Sequence, residues 1–306
     1  MIQVAVFSVV LALASATAQI TIVPTPPPET PQASQTPLQP DSDLPEDARV
    51  ALEEARAAVQ NALNADRHFR PDSPLVREAI RLSRRAVNLA PEQPETLRFL
   101  AEVYGDSGFY GPAFSIWRRF AAVGGDLDAD ARREFAESGV KVGYTRYNQG
   151  EAGSALAAYR TVTEIAPDDE TALRWSGRIL LEQNRPKAAL PYWQRVQVLS
   201  PDDAGVTYFL ELTEAGVAHG LGAAEAFFGG VSDYEAGRSE TAREGFGRAT
   251  RLAPDYAEAW GYRGRLAFEA GDFDEAQTAY ARASRLEPQN ATYRHFLRQA
   301  RARTGE

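Results

Sequence analysis

The sequence predicts an all-α fold built from repeated helical hairpins, and three observations support this prediction. From Asp47 onward, apolar residues recur at intervals of three and four positions, as they do along one face of a helix. We find no convincing run of alternating β-branched residues, which would indicate a strand. A short phrase also recurs along the chain, as in NLAPEQPETL from Asn88 and RLAPDYAEAW from Arg251. A phrase that returns between helical segments indicates repeated structural units.

The prolines of this phrase reveal the length of the unit. They are Pro91, Pro167, Pro201, Pro254 and Pro288. The gaps between them are 76, 34, 53 and 34 residues, so two gaps equal 34. The other two gaps exceed a multiple of 34 by 8 and by 19 residues. A period of 34 residues with helix–turn–helix units resembles the tetratricopeptide repeat.

The last full repeat carries this resemblance most clearly. Residues 257–290 read AEAWGYRGRLAFEAGDFDEAQTAYARASRLEPQN, which is similar to the family pattern W-x2-L-G-x2-Y…A-x3-F…P. The matching residues are Trp260, Gly264, Ala276, Tyr280, Ala283 and Pro288. Arg263 and Ala267 depart from the Leu and Tyr of the pattern. The same frame fits 94–127, 136–169, 170–203 and 223–256, and a degenerate first unit pairs helices near 47–63 and 74–89.

The resemblance implies a right-handed superhelical solenoid of helix pairs. Small residues should lie where the two helices approach, and an aromatic residue of the second helix should fill the space between neighbours. These aromatic residues are Trp117, Tyr159, Trp193, Phe246 and Tyr280. We expect an N-terminal block at 47–203, an extra helix with a glycine-rich break at 204–222, and a C-terminal block at 223–306 with a capping helix. Residues 128–135 should lengthen one first helix by about two turns.

Two segments precede the repeats. Residues 1–18, MIQVAVFSVVLALASATA, form an apolar run with a small-x-small ending, which is typical of a secretory signal cleaved before Gln19. No Lys or Arg precedes the apolar run, so an uncleaved anchor is the alternative. Residues 19–46 contain eight prolines and predict a disordered linker. We therefore expect a protein exported to the periplasm or cell envelope, with a membrane tether only through residues 1–18.

The composition argues against several classes of function. The formal net charge of −9 disfavours a nucleic-acid binder, because neutralising phosphates requires a basic face. The chain has no cysteine, which excludes disulfides, thiolate zinc sites and a cysteine nucleophile. The three histidines, none of which has a partner at metal-ligand spacing, are His68, His219 and His295. We therefore expect neither a cofactor nor a metal.

Two aspartate pairs invite a different interpretation. Asp168 with Asp169, and Asp202 with Asp203, could form carboxylate pairs or bind calcium. Both pairs directly follow a repeat proline, where acidic residues are expected at the start of a helix. We therefore interpret them as helix caps.

The resemblance also indicates a binding surface. In this family, repeat positions 2, 5, 9, 12 and 13 of the first helix line a concave groove that binds extended peptides or partner helices. Positions 5, 9 and 12 are rich in arginine and aromatic residues here, the side chains that most often dominate interfaces. The predicted partner-binding residues are Arg98, Tyr144, Tyr147, Arg174, Arg178, Phe227, Tyr234, Arg265 and Phe268. Position 13 adds Asp106, Glu182, Glu235 and Glu269, which should pair with some of these arginines.

The arginines of this set should pair with carboxylates, while the aromatic side chains supply buried area. The Lys, Asn, Asn, Lys, Arg set of carboxylate-clamp tetratricopeptide domains is not presented at those positions. The predicted function is therefore a non-enzymatic scaffold or adaptor of the cell envelope that binds an unidentified protein or peptide.

Two alternative functions stay open. One is a hydrolase of an envelope polymer with its site near the break at 216–222, which would require a polar cluster converging on His219. No nucleophile motif of the Gly-x-Ser-x-Gly kind accompanies the glycines there. The other is a self-assembling structural protein that uses the ends of the array or the apolar segment VTYFLEL.

Overall fold

The computed structural model describes residues 44–65 and 69–305 of the chain. The signal-like segment, nearly all of the proline-rich linker and His68 lie outside these residues. The described residues form fourteen α-helices and no β-strand, which confirms the all-α prediction. None of these helices is both long enough and apolar enough to cross a membrane.

The helices are short and closely spaced along the chain. They are α1 (Glu46–Ala65), α2 (Pro74–Leu89), α3 (Pro94–Asp106), α4 (Tyr110–Ala122), α5 (Ala129–Asn148), α6 (Ala152–Ile165), α7 (Glu170–Glu182), α8 (Pro186–Leu199), α9 (Ala204–His219), α10 (Leu221–Glu235), α11 (Ser239–Leu252), α12 (Ala257–Glu269), α13 (Phe273–Leu286) and α14 (Ala291–Thr304).

Each helix packs mainly against the helices that precede and follow it. The hairpins are α1/α2, α3/α4, α5/α6, α7/α8, α10/α11 and α12/α13, while α9 stands between two hairpins and α14 follows the last one. A continuous apolar core extends from Val87 in α2 to Ala224 in α10. Further apolar clusters join α10 to α12 and α12 to α14. Packing between sequence neighbours is the arrangement of a helical solenoid.

Glycines allow the two helices of a hairpin to approach closely. A Cβ added to Gly143 would lie 2.6 Å from the ring of Tyr159, and one added to Gly177 would lie 2.6 Å from Nε1 of Trp193. Gly230 faces Phe246 and Gly264 faces Tyr280 in the same way. The aromatic residue of each of these second helices therefore fills the space above a glycine of the first helix, as the repeat pattern predicts.

The same aromatic residues stack on a ring of the following helix. The ring of Tyr159 lies 6.0 Å from that of Trp175, with 3° between their planes. Trp193 stacks on Phe209 at 4.7 Å and 8°. The other stacked pairs are Trp117 with Phe135, Phe246 with Tyr262, and Tyr280 with Phe296. Because Phe209 belongs to α9, this helix occupies the place of a first helix in the array.

The junction at 204–222 differs from the predicted glycine-rich loop. Helix α9 ends at His219 and α10 begins at Leu221, so Gly220 alone connects them. Its φ of 86° is a conformation that only glycine adopts readily. Gly222, which the sequence places in the loop, belongs to α10 instead. The loop prediction is wrong because a single glycine with positive φ completes the turn.

Helix α5 is longer than the first helices of the hairpins on either side of it. It has 20 residues, whereas α7 has 13. Asp128 caps its start by accepting a hydrogen bond from the backbone N–H of Ala131 at 2.8 Å. Phe135 lies in the additional turns and is buried against Phe114. The lengthening predicted from 128–135 is therefore present.

Candidate functional site

Two clusters of aromatic and charged side chains have the same arrangement, one on α5 and α7 and the other on α10 and α12. The first aromatic–arginine cluster consists of Tyr147, Trp175, Arg178 and Glu182, and the second consists of Tyr234, Tyr262, Arg265 and Glu269. Corresponding residues of the two clusters lie 87 positions apart in the sequence.

In the first cluster, one carboxylate holds a phenol and a guanidinium together. The hydroxyl of Tyr147 lies 2.7 and 2.9 Å from the two carboxylate oxygens of Glu182. Nε of Arg178 donates to Oε1 of Glu182 at 3.0 Å. The guanidinium of Arg178 lies 5.2 Å from the ring centre of Trp175. The rings of Tyr147 and Trp175 are 4.7 Å apart, so the cluster presents adjacent aromatic rings beside a fixed arginine.

The second cluster repeats the hydrogen bonds of the first, but its arginine lies over the tyrosine that binds the glutamate. The hydroxyl of Tyr234 lies 2.8 and 3.1 Å from the carboxylate oxygens of Glu269. Nε of Arg265 donates to Oε1 of Glu269 at 3.0 Å. The Arg265 guanidinium lies 5.0 Å from the ring centre of Tyr234, and Tyr262 contacts that ring edge-on at 6.1 Å.

Helical geometry explains how the clusters form. Arg178 and Glu182 are four residues apart on α7, and Arg265 and Glu269 have the same separation on α12, so each pair lies on one helix face. The tyrosine comes from the preceding first helix. The position-13 prediction is therefore confirmed for Glu182 and Glu269, which pair with arginines.

The two phenols stay neutral donors at physiological pH. The hydrogen bond to Glu182, followed by burial, raises the pKa of Tyr147. Burial, followed by the hydrogen bond to Glu269, raises the pKa of Tyr234 to about 12. Hydrogen bonding to Glu182 likewise raises the pKa of Arg178, which stays charged.

The arginines of both clusters keep donors available. Each uses Nε for its glutamate, and within the described residues its two terminal nitrogens donate no hydrogen bond to a carboxylate. Both side chains are about half exposed, at 54% for Arg178 and 55% for Arg265. The terminal nitrogens of a guanidinium form a planar fork of donors, so each cluster can hydrogen-bond an incoming acceptor.

Tyr144 extends the surface of the first cluster. Its side chain is 51% exposed, and its ring contacts that of Trp175 edge-on at 6.0 Å. An exposed tyrosine next to further aromatic rings offers apolar area to a partner at a low entropy cost.

Arg98 and Arg174 are held differently from the cluster arginines. Nη1 of Arg98 donates to Asp128 at 2.6 Å, and Nη2 of Arg174 donates to Asp203 at 2.7 Å. These aspartates cap α5 and α9. Hydrogen bonding from the arginines lowers the pKa of both aspartates. The two arginines therefore connect one first helix to the start of the next, and their pairing with carboxylates is satisfied within the chain.

Two predicted binding residues belong to the packing of the solenoid. Phe227 is only 3% exposed and lies 4.8 Å from the ring of Tyr256, at the start of the next repeat. Its prediction as a contact residue is wrong, because Tyr256 covers it. Phe268 is half buried between Phe273 and Phe296, at 5.3 and 5.9 Å.

Sequence reasoning missed Trp175 and Tyr262, the rings against which the tyrosines of the two clusters pack. Both residues follow a buried aromatic residue of the preceding second helix by 16 positions, as Tyr159 precedes Trp175. This recurring spacing is the signal that identifies them.

In each of the two aspartate pairs, the second aspartate caps a helix, whereas the first lies in the turn before it, so the cap prediction is right for one member of each pair. Asp169 accepts a hydrogen bond from Ala172 N at 2.8 Å, and Asp203 accepts from Gly205 N at 2.7 Å. Asp168 forms an ion pair with Arg195. No group of side chains in the described ranges could hold a metal ion.

A cleft of 850 Å³ lies between the start of α5 and the turn from α6 to α7. Its lining includes the apolar residues Val140, Ile165 and Pro167 together with charged residues of both signs. Because both acidic and basic side chains line the cleft, the lining favours neither an anion nor a cation.

The packing of His219 does not supply the polar cluster that a hydrolase site would need. Its ring stacks on Tyr256 at 4.1 Å and 13°. Nδ1 is buried without a hydrogen-bond partner in the described part of the chain, and it lies 3.7 Å from Oδ1 of Asp255. This distance is too long for a hydrogen bond that would orient a catalytic imidazole.

Comparison with known proteins identifies the repeats. Residues 143–204 and residues 233–300 each match a family model described as tetratricopeptide repeat. These stretches include all residues of both clusters. A search of curated proteins found no match to the sequence.

Several solved structures are similar to the chain. A structure of pilF from Pseudomonas aeruginosa has 16% identity and a TM-score of 0.29, covering 83% of this chain and 98% of that chain. A tetratricopeptide repeat protein from Parabacteroides merdae has 12% identity and a TM-score of 0.35, covering 84% and 99%. YrrB, titled a TPR protein with an unusual peptide-binding site, has 16% identity and a TM-score of 0.20, covering 82% and 97%. TM-scores this low carry no inference about function.

Proposed function

We propose that this chain, a tetratricopeptide repeat protein over residues 143–204 and 233–300, is a non-enzymatic scaffold that binds a protein or peptide partner. The observation that carries the proposal is the first aromatic–arginine cluster with Tyr144 beside it. An exposed tyrosine, with partly buried aromatic rings and an arginine with available donors beside it, is typical of a binding hot spot.

The proposed mechanism is recognition by a preorganised surface. Glu182 fixes the hydroxyl of Tyr147 and Nε of Arg178 before a partner arrives. Ordering long side chains in advance lowers the entropy cost of association. The rings of Tyr144, Tyr147 and Trp175 would supply the buried area, and the terminal nitrogens of Arg178 would fix the register of the partner.

Site-specific photo-crosslinking in the native host tests this proposal. A photoreactive phenylalanine derivative at position 144 should form an adduct with a specific partner. The matched control is position 198, because Val198 is 68% exposed on α8, a second helix that carries no cluster residue. The same adducts from both positions, or no adduct from position 144, would contradict a binding site at the first cluster.

We further propose that the protein acts outside the cytoplasm, in the periplasm or cell envelope. The support is the apolar run of residues 1–18 with its small-x-small ending, followed by the proline-rich residues 19–46. A reporter enzyme that is active only after export should be active when fused behind residues 1–46. The control carries residues 19–46 alone, and equal reporter activity from the two fusions would overturn the proposal.

A further inference from the structure

We infer that the chain has two equivalent binding sites, one at each aromatic–arginine cluster, and that each takes an uncharged, proline-rich segment of a partner in extended conformation. The inference rests on the proposed function and specifies the number of its sites and the chemistry of its ligand.

The equivalence of the sites is shown by matching atoms as well as matching residues. In both clusters the tyrosine and the glutamate are separated by 35 residues and joined through the phenol hydroxyl, at 2.7 and 2.8 Å. In both, Nε of the arginine donates to Oε1 of the same glutamate at 3.0 Å. The second ring is tryptophan in the first cluster and tyrosine in the second, so both clusters present two aromatic rings. Two sites with the same donors and acceptors and with two adjacent aromatic rings should recognise the same kind of ligand.

The fold does not require this arrangement. At the packed pair α3 and α5, the positions that hold Tyr147, Arg178 and Glu182 in the first cluster are occupied by Gly105, Tyr144 and Asn148. These two helices pack without a tyrosine–glutamate–arginine contact. The clusters are therefore additions to the repeat, which a binding role explains and packing alone does not.

The charges of each cluster favour an uncharged ligand. Arg178 and Arg265 already have a carboxylate at 3.0 Å, from Glu182 and Glu269 respectively. A second carboxylate would have to approach that glutamate, whereas a neutral carbonyl oxygen can accept from the terminal nitrogens without this repulsion. The acceptor that fits the available donors is thus the carbonyl group of a peptide backbone.

The aromatic surface favours proline among extended peptides. A polyproline II segment has no internal hydrogen bonds, so its carbonyl groups are free to accept. Grooves lined by aromatic side chains recognise such segments, because the preformed conformation costs little entropy on binding. Tyr147 with Trp175 in one cluster, and Tyr234 with Tyr262 in the other, provide adjacent rings beside the arginine donors.

Titration of the full-length protein with fluorescein-labelled decaproline tests the inference, with glycine–serine and glutamate decapeptides as comparison probes. Decaproline should bind at two sites per chain and more tightly than either comparison peptide. Arg178→Gln should weaken one site by about tenfold or more, as expected for the loss of hydrogen bonds to a charged donor, and Arg265→Gln should weaken the other. The double variant should lose both.

Arg174→Gln is the matched control, because Arg174 lies one turn before Arg178 on α7 but its Nη2 is bound to Asp203. This variant should keep both sites. A single site, equal loss in the Arg174 and Arg178 variants, or tighter binding of the glutamate peptide would overturn the inference. If decaproline does not bind but position 144 still crosslinks a specific partner, the inference fails and the proposed function stands.

Discussion

At the scale of single residues, Glu182 and Glu269 organise the candidate sites. Each lies within hydrogen-bond distance of a tyrosine hydroxyl from one first helix and accepts from an arginine of its own helix. Each glutamate therefore joins two neighbouring repeats and also holds an arginine whose terminal nitrogens can donate to a partner. Arg98 and Arg174 show the contrasting case, in which an arginine of a first helix is bound to the cap of the next one.

Adjacent glycines in α10 predict opposite effects of the same substitution. A Cβ at Gly230 would lie 2.9 Å from the ring of Phe246, whereas a Cβ at Gly229 would meet nothing within 4 Å. Gly230→Ala should destabilise the fold by about 1–3 kcal/mol through overpacking. Gly229→Ala should be neutral or stabilising by up to about 1 kcal/mol, because alanine favours a helix. Urea unfolding measures both, and equal effects would contradict the packing described.

The raised pKa of Glu134 predicts that the stability of the protein depends on pH. Burial, followed by the nearby charges of Glu102 and Asp106, raises its pKa from 4.5 to about 7. The folded state therefore holds this proton at pH values where the unfolded chain has lost it. The free energy of unfolding therefore falls as pH rises from about 4.5 to about 7, and the full loss is present above about pH 7.

Glu134→Gln removes this cost and should raise the midpoint of thermal unfolding more at about pH 8 than at about pH 6. The control is Glu164→Gln, because Glu164 is exposed and lies on the next helix. Glu164→Gln should change the midpoint of thermal unfolding little at either pH. A gain from Glu134→Gln that does not change with pH would show that another interaction causes it.

The residues of the sites could be predicted only in part. The repeat frame places Tyr147 and Arg178 on the face of the first helices, because position in the repeat fixes the direction of a side chain along a helix. The frame could not distinguish Arg178 from Arg174, because that difference depends on Asp203, 29 residues away from Arg174. The repeat frame also placed Phe227 at the surface. The ring of Tyr256, which covers Phe227, comes from the turn before the next helix, and the frame does not describe that turn.

At the scale of helices, the connection between α9 and α10 is the most localised feature of the array. Gly220 alone joins them, with φ of 86° and ψ of 139°. Gly220→Ala should destabilise the protein by about 1–3 kcal/mol, because residues with a Cβ are strained in this conformation. The control is Gly222→Ala in α10, where the nearest side-chain atom would be 3.8 Å away. Thermal unfolding should separate the two variants, and equal midpoints would contradict the strained turn.

The start of α9 supplies a second prediction for a helix. Asp203 caps α9 through the backbone N–H groups of Gly205 and Val206, and it also binds Arg174. Asp203→Ala should lower the free energy of unfolding, because the two N–H groups lose their acceptor. The neighbouring Asp202→Ala, at an exposed position outside the helix, should change the free energy of unfolding little. Urea unfolding that ranks Asp202 above Asp203 would show that the cap is not the stabilising contact.

Helix boundaries followed more directly from the sequence than connections did. The predicted capping helix at the C-terminus corresponds to α14 (Ala291–Thr304), and the extra turns of 128–135 correspond to the start of α5. Helices extend over many residues with a regular apolar period, so each has many signals. The α9–α10 turn depends on the backbone angles of one glycine, and an apolar period does not specify those angles.

At the scale of the whole molecule, the described array has a core that passes through α9 without interruption. Side chains of α8, α9 and α10 belong to one apolar cluster, which includes Trp193, Leu212 and Ala224. In an array of this kind, each repeat depends on the interfaces with its neighbours. Because the packing is regular, the features that differ between repeats lie on the faces of the first helices. The two aromatic–arginine clusters are features of this kind.

The most direct test of the central claim is the yield of partner crosslinking from position 144 in two arginine variants. Both arginines lie on α7, but Arg178 has terminal nitrogens available, whereas Arg174 donates to Asp203 through Nη2. A binding site at the first cluster predicts a strongly reduced yield in Arg178→Gln and an unchanged yield in Arg174→Gln, at equal protein levels. Equal yields in the two variants would contradict it.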